Sequence, residues 1–139
     1  MIPLLFVILS AIFYAIFWTL QFHYETSIFS NTKNEGFWNP EISWHNKWKD
    51  GFESKGEAFW GSSRWFVFLT DAYHLFQSGY LWCIALAIVN FHPIITAPFL
   101  SYCNSTYSIP YQWVVDLLII KLAFSIIFQI YFGSILVKK

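Results

Sequence analysis

Asp71 and His74 stand three residues apart in a stretch that is otherwise apolar, and Lys121 interrupts a second such stretch. On a helix, positions i and i+3 share a face, so the carboxylate and the imidazole can meet, with Gln77 close by. A carboxylate beside an imidazole within a membrane span suits proton relay. Lys121, on a flexible stem, has the reach to pair with Asp71. Two readings follow. Asp71 and Lys121 form a structural ion pair between two helices, with His74 and Gln77 hydrogen-bonding nearby. Or Asp71, His74, Gln77 and Lys121 are an intramembrane polar or ion site. His23, Glu25 and His45 could join Asp71 and His74 as ligands on one side, for a metal or haem, but no spacing here is a recognised ligand motif. No cofactor is therefore predicted. Nothing resembles a nucleophile elbow, a phosphate loop or a zinc-protease helix.

These side chains must be positioned by a chain unlike a soluble domain. Of its 139 residues 57% are hydrophobic and 12% charged, against about 25% charged in a typical globular domain. So small a chain cannot bury that much apolar surface in its own core, so lipid must cover it. The net charge of zero gives no basic patch for nucleic acid. Cys83 and Cys103 lack metal-ligand spacing, and either pair in an oxidising compartment or stay as isolated thiols.

The expected fold is all-α, a single membrane domain over 1–139 with spans near 2–23, 65–89 and 112–137. The first run, Ile2 to Phe22, carries no charge, and Pro3 suits a first helical turn. It has no basic leader and no small-residue cleavage pattern, which favours a retained span over a signal peptide. The second is expected to open at Trp65 with Ser62 or Ser63 as its cap. That start puts Asp71 about 9 Å deep and His74 about 13 Å, at ~1.5 Å per residue. The third carries Asp116, Lys121 and Gln129. Asp116 and Lys121, i and i+5, point to different sides of it. Pro93, Pro98 and Pro110 break the apolar segment of the outer loop, 90–111, too often for it to cross.

Lys33, Lys47, Lys49, Lys55 and Arg64 lie in the loop 24–64, and Lys138 and Lys139 close the chain. Three crossings put all of these on one side. The positive-inside rule makes that side cytoplasmic and the N-terminus external. Small residues at Ala11, Ala15 and Thr19, and a stripe of Lys121, Ser125, Gln129 and Gly133, suit close helix approach.

The long loop is too aromatic for a disordered linker. Trp38, Trp44, Trp48, Trp60 and Trp65 are expected as interfacial anchors, with Trp44 and Trp48 on one face of a helical turn. The alternative is a cap over the ends of spans one and two that brings His45 near a site. The string Phe37-Trp38-Asn39-Pro40, Ser43-Trp44, Asn46-Lys47-Trp48-Lys49, Phe59-Trp60-Gly61-Ser62-Ser63 and Phe68-Leu69-Thr70-Asp71-Ala72-Tyr73-His74 resembles an uncharacterised family of small bacterial integral membrane proteins, over roughly residues 37–80. The resemblance implies a bacterial inner-membrane setting. His45 stands where that family tends to carry a basic residue.

The function expected first is a non-catalytic accessory or scaffold subunit of a larger membrane complex, with the bilayer and other subunits or self-association as partners. A homo-oligomeric ion- or proton-handling channel or transporter centred on Asp71, His74 and Lys121 is the alternative. A membrane-embedded enzyme acting on a lipid-like substrate, with the tryptophan-rich loop as its lid, is the third.

Overall fold

The computed structural model describes residues 2–90 and 108–137. Residues 91–107 of the expected outer loop, with Cys103, Pro93 and Pro98, lie outside them, whereas 108–111, with Pro110, belong to the third long helix, which starts earlier than expected because proline is tolerated in a first helical turn. Three helices are long and apolar enough to cross a membrane: α1 (Ile2–Phe22), α4 (Ala72–Val89) and α5, which begins at Ser108, is α-helical to Ile130 and continues to Leu136. Two short helices, α2 (Glu35–Trp38) and α3 (Pro40–Ser43), lie between the first two spans. The all-helical expectation holds among the described residues.

α1 is the central element. Its small face, Ala11, Ala15 and Thr19, is fully buried, together with Leu20. Its hydroxyls turn inward, Ser10 donating to the Val7 carbonyl at 2.7 Å and Thr19 to the Ala15 carbonyl at 2.8 Å, so neither is left unpaired. α4 runs antiparallel to α1, with Phe13 against Phe76 and Phe17 against Tyr73. α5 runs parallel to α1, placing Phe124 and Phe128 against Tyr14 and Phe132 against His23. Both pack on α1, while among the described residues α4 and α5 share no extensive interface. Gly79 makes the α1–α4 approach possible, since a Cβ there would lie 2.8 Å from Phe13 Cδ2.

The second span starts later than its hydropathy suggests. Residues 65–70 form turns, including a 3₁₀ turn at Val67–Leu69, and the α-helix begins only at Ala72. Its cap is Asp71, with extended backbone and a side chain accepting the His74 N–H, and not Ser62 or Ser63. Hydropathy averages over a window and cannot see a cap within an apolar run. Asp71 and His74 therefore sit at the mouth of the helix, not 9 and 13 Å inside it.

The third span also ends unexpectedly. Tyr131–Leu136 widens into a π-helical turn, which brings Leu136 into the buried cluster with Ala15, Leu20, Phe29 and Ala72. Val137 then pairs with Ser27 in an isolated antiparallel bridge. The end of α5 is thereby tied to the start of the loop.

The loop is a folded cap. Asn39 stops α2 and caps α3, its side chain accepting the Glu41 N–H at 3.0 Å, and Pro40 takes the first helical position. Trp44–Lys47 is a 3₁₀ turn and Trp48 is extended, so the two indoles do not share a helical face. Instead the Lys47 ammonium lies 5.7 Å from each ring. Trp48 bridges Glu57 across a narrow hairpin. Trp60 and Trp65 are 80% and 74% exposed, and Trp44 is also exposed. Trp38 corrects the anchor set: it points inward, stacked 4.7 Å from Phe29 and 6.0 Å from Phe76.

Candidate functional site

Asp71 is 1% exposed, yet every oxygen of its carboxylate is used. Oδ1 accepts the His74 backbone N–H at 2.8 Å. The His74 Nδ1 lies 2.9 Å from Oδ1 and 2.7 Å from Oδ2. The Thr70 hydroxyl bridges Oδ2 at 3.0 Å and the Val67 carbonyl at 2.7 Å. A buried carboxylate can only accept, so Nδ1 must carry a proton. Neutral His74 then has its lone pair on Nε2, and the protonated ring remains matched by Asp71.

The cap holds this pair from outside. Asn46 Nδ2 donates to the Gly36 carbonyl at 2.6 Å and to the Thr70 carbonyl at 2.9 Å, tying α2 to the residue before Asp71. Beside it opens a cleft of about 260 Å³ whose walls include Gln21, Ser43, Trp44, Asp71, Tyr73 and His74. The His74 side chain is 32% exposed. With Nδ1 committed to Asp71, Nε2 is the ring nitrogen left for a visitor to this cleft.

A second cleft, about 370 Å³, shares Gln21 and Pro40 with the first and adds His23, Tyr24, Glu25 and Glu41. The Tyr24 hydroxyl is buried and, among the described residues, has no hydrogen-bond partner. Burial, with the negative charge of Glu35, pushes that phenol above its usual range.

The structure separates residues that the sequence grouped together. Lys121 does not pair with Asp71: the ion partner of Asp71 is His74. Lys121 shares a cavity with Ile84 and Ile88, at least thirteen residues and so about 20 Å along α4 from Asp71. Gln77 is half-buried and bonds to neither Asp71 nor His74. His45 does not join the site either. It stacks 3.7 Å from Trp44, and its Nδ1 lies 3.0 Å from the Gly51 carbonyl. His23 and Glu25 do share a cleft, but among the described residues no three His, Cys, Asp or Glu side chains converge on a metal position. Sequence reasoning assigned no role to Thr70 or Ser43, and Asn46 entered only as part of the tryptophan-rich lid. The polar pair Thr70-Asp71 before an apolar run was the available signal, being a helix-start pattern. Asp116, treated as an interruption of α5, is 1% exposed.

Searches of known protein families, of curated proteins and of solved structures each return no match to this chain.

Proposed function

We propose that this chain is a multi-pass membrane enzyme whose acid–base centre is the Asp71–His74 pair, acting on a lipid-like substrate presented at the loop end of the bundle. The observation that carries the reading is the commitment of His74 Nδ1 to a buried carboxylate beside an open cleft. In that arrangement Nε2 removes a proton from a substrate hydroxyl or a water, and Asp71 balances the imidazolium that results. The tryptophan-rich cap supplies Trp44 and Ser43 to the cleft wall, the lid such an enzyme needs. Residues on this side carry the loop lysines, so the positive-inside rule makes it cytoplasmic. The pair serves a local proton transfer better than a path across the bilayer, since Lys121 lies far from it.

The test is comparative lipid analysis of membranes expressing the wild type or His74→Gln at matched, folded levels. At least one lipid species is expected to change with the wild type alone. Identical lipid profiles would sink the reading.

A second reading, the accessory subunit, has its own support. Ser125 and Gln129 are exposed on α5, and Gly133 has open space where a Cβ would stand. Polar groups facing lipid within a span are costly and suit a partner helix. Photo-crosslinkers placed at Ser125 and Gln129 are expected to capture a protein in native membranes; lipid adducts alone would count against it.

A further inference from the structure

We propose that the groove between α4 and α5 holds a long-chain carboxylate, with Lys121 as the partner of its anionic end. The groove encloses about 620 Å³, floored by Val7 of α1 and walled by Ile84, Ile88, Leu117 and Phe124. That volume is in the range of small-molecule sites. It exists because α4 and α5 pack on α1 and leave the space between them open.

Among the described residues two polar side chains reach it, Ser10 and Lys121. The Ser10 hydroxyl is spent on the Val7 carbonyl. Lys121 is exposed and, among the described residues, has no hydrogen-bond or ion-pair partner. It lies level with Ser10, eight residues into α1, so about 12 Å from the end of that helix. An ammonium at that depth calls for an anion. Asp71 cannot supply one, being bonded to His74 at the far end of α4.

The occupant must therefore be apolar along most of its length and anionic at one point. A helix of another protein, about 10–12 Å across, would cover the mouth of the groove without filling it. A phosphodiester headgroup is permanently charged and stays at the bilayer surface. A carboxylic acid can cross into the leaflet neutral; once its proton is released to interfacial water, the carboxylate accepts a charge-assisted hydrogen bond from the Lys121 ammonium. The site is separate from the Asp71–His74 cleft and does not rest on the function proposed for it.

The experiment uses the full chain in nanodiscs of zwitterionic lipid, with palmitic acid carrying a mid-chain diazirine and the matching alcohol as control. After irradiation, adducts of the acid are expected on the segments holding Ile84–Ile88 and Leu117–Phe124. Lys121→Met should reduce them about tenfold, the loss of one charge-assisted hydrogen bond, and leave those of the alcohol unchanged. Lys121→Arg should retain most of them, which shows that the groove itself is intact. Acid adducts spread evenly over the lipid-facing surface, or undiminished by Lys121→Met, would overturn the proposal. So would a protein cross-linked at these positions in native membranes to the exclusion of the acid.

Discussion

Asp71 grips His74 twice, through the backbone N–H at 2.8 Å and through ring Nδ1 at 2.7 Å, so one carboxylate both starts α4 and sets a tautomer. The two duties can be separated. Asp71→Ala should lose about 1 kcal/mol of helix capping and roughly 1–3 kcal/mol more for the buried partners it strands. Asp71→Ser retains a cap oxygen and should recover the first part only. Thermal unfolding in detergent reads the stability. The ¹⁵N shifts of His74 should show an Nδ1–H tautomer in the wild type and a mixture in Asp71→Ser.

Lys121, on α5, faces the end of α4 opposite to Asp71, so their substitutions should not communicate. A double-mutant cycle of Asp71→Asn with Lys121→Met is expected to add within about 0.5 kcal/mol. A larger coupling energy would mean that the two side chains meet.

Asn46 spends both amide hydrogens on carbonyls, Gly36 and Thr70. Asn46→Ala and Asn46→Asp each remove those donors and should loosen the cap by roughly 1–3 kcal/mol. Limited trypsin digestion is the measure: cleavage after Lys47 and Lys49 should accelerate while the spans stay intact.

Gly79 admits Phe13 where a Cβ would stand 2.8 Å from the ring. Gly79→Ala should destabilise the α1–α4 packing by about 1–3 kcal/mol, as overpacking does. Phe13→Leu in the same chain should recover part of the loss. Chemical unfolding in mixed micelles would show both effects, and a neutral Gly79→Ala would refute the close approach.

Glu57 accepts from the Ser63 hydroxyl, from the Gly61 N–H at 2.8 Å and from the Ser63 N–H at 3.3 Å. Chiefly through the Ser63 hydroxyl, these bonds hold its carboxyl below the usual glutamate range, which is about 4.3. A folded value below the unfolded one means the turn is stabilised above the unfolded value and loses that support as pH falls through the folded one. Protection from hydrogen exchange over residues 57–66, measured relative to the intrinsic rate at each pH, should therefore diminish on acidification below about pH 4.3. Glu57→Gln should flatten that dependence.

The sequence alone determined that three apolar helices would form, that the small face Ala11-Ala15-Thr19 would be buried, and that the loop would be ordered. Each follows from local composition or periodicity, which a window of residues contains. It also brought Asp71 to His74, because i and i+3 neighbours meet in almost any helical setting. The start of α4 was also written locally, in Thr70-Asp71 before the apolar run, although hydropathy places it earlier; only the tertiary structure decided that the pair lies under the folded loop beside an open cleft. It also decided that Trp38 faces inward, that His45 turns to Gly51, and that Lys121 faces an apolar groove instead of Asp71. Those outcomes depend on the order in which α4 and α5 pack around α1 and on how the loop returns over them. Such contacts join residues distant in the chain, and no local pattern carries them.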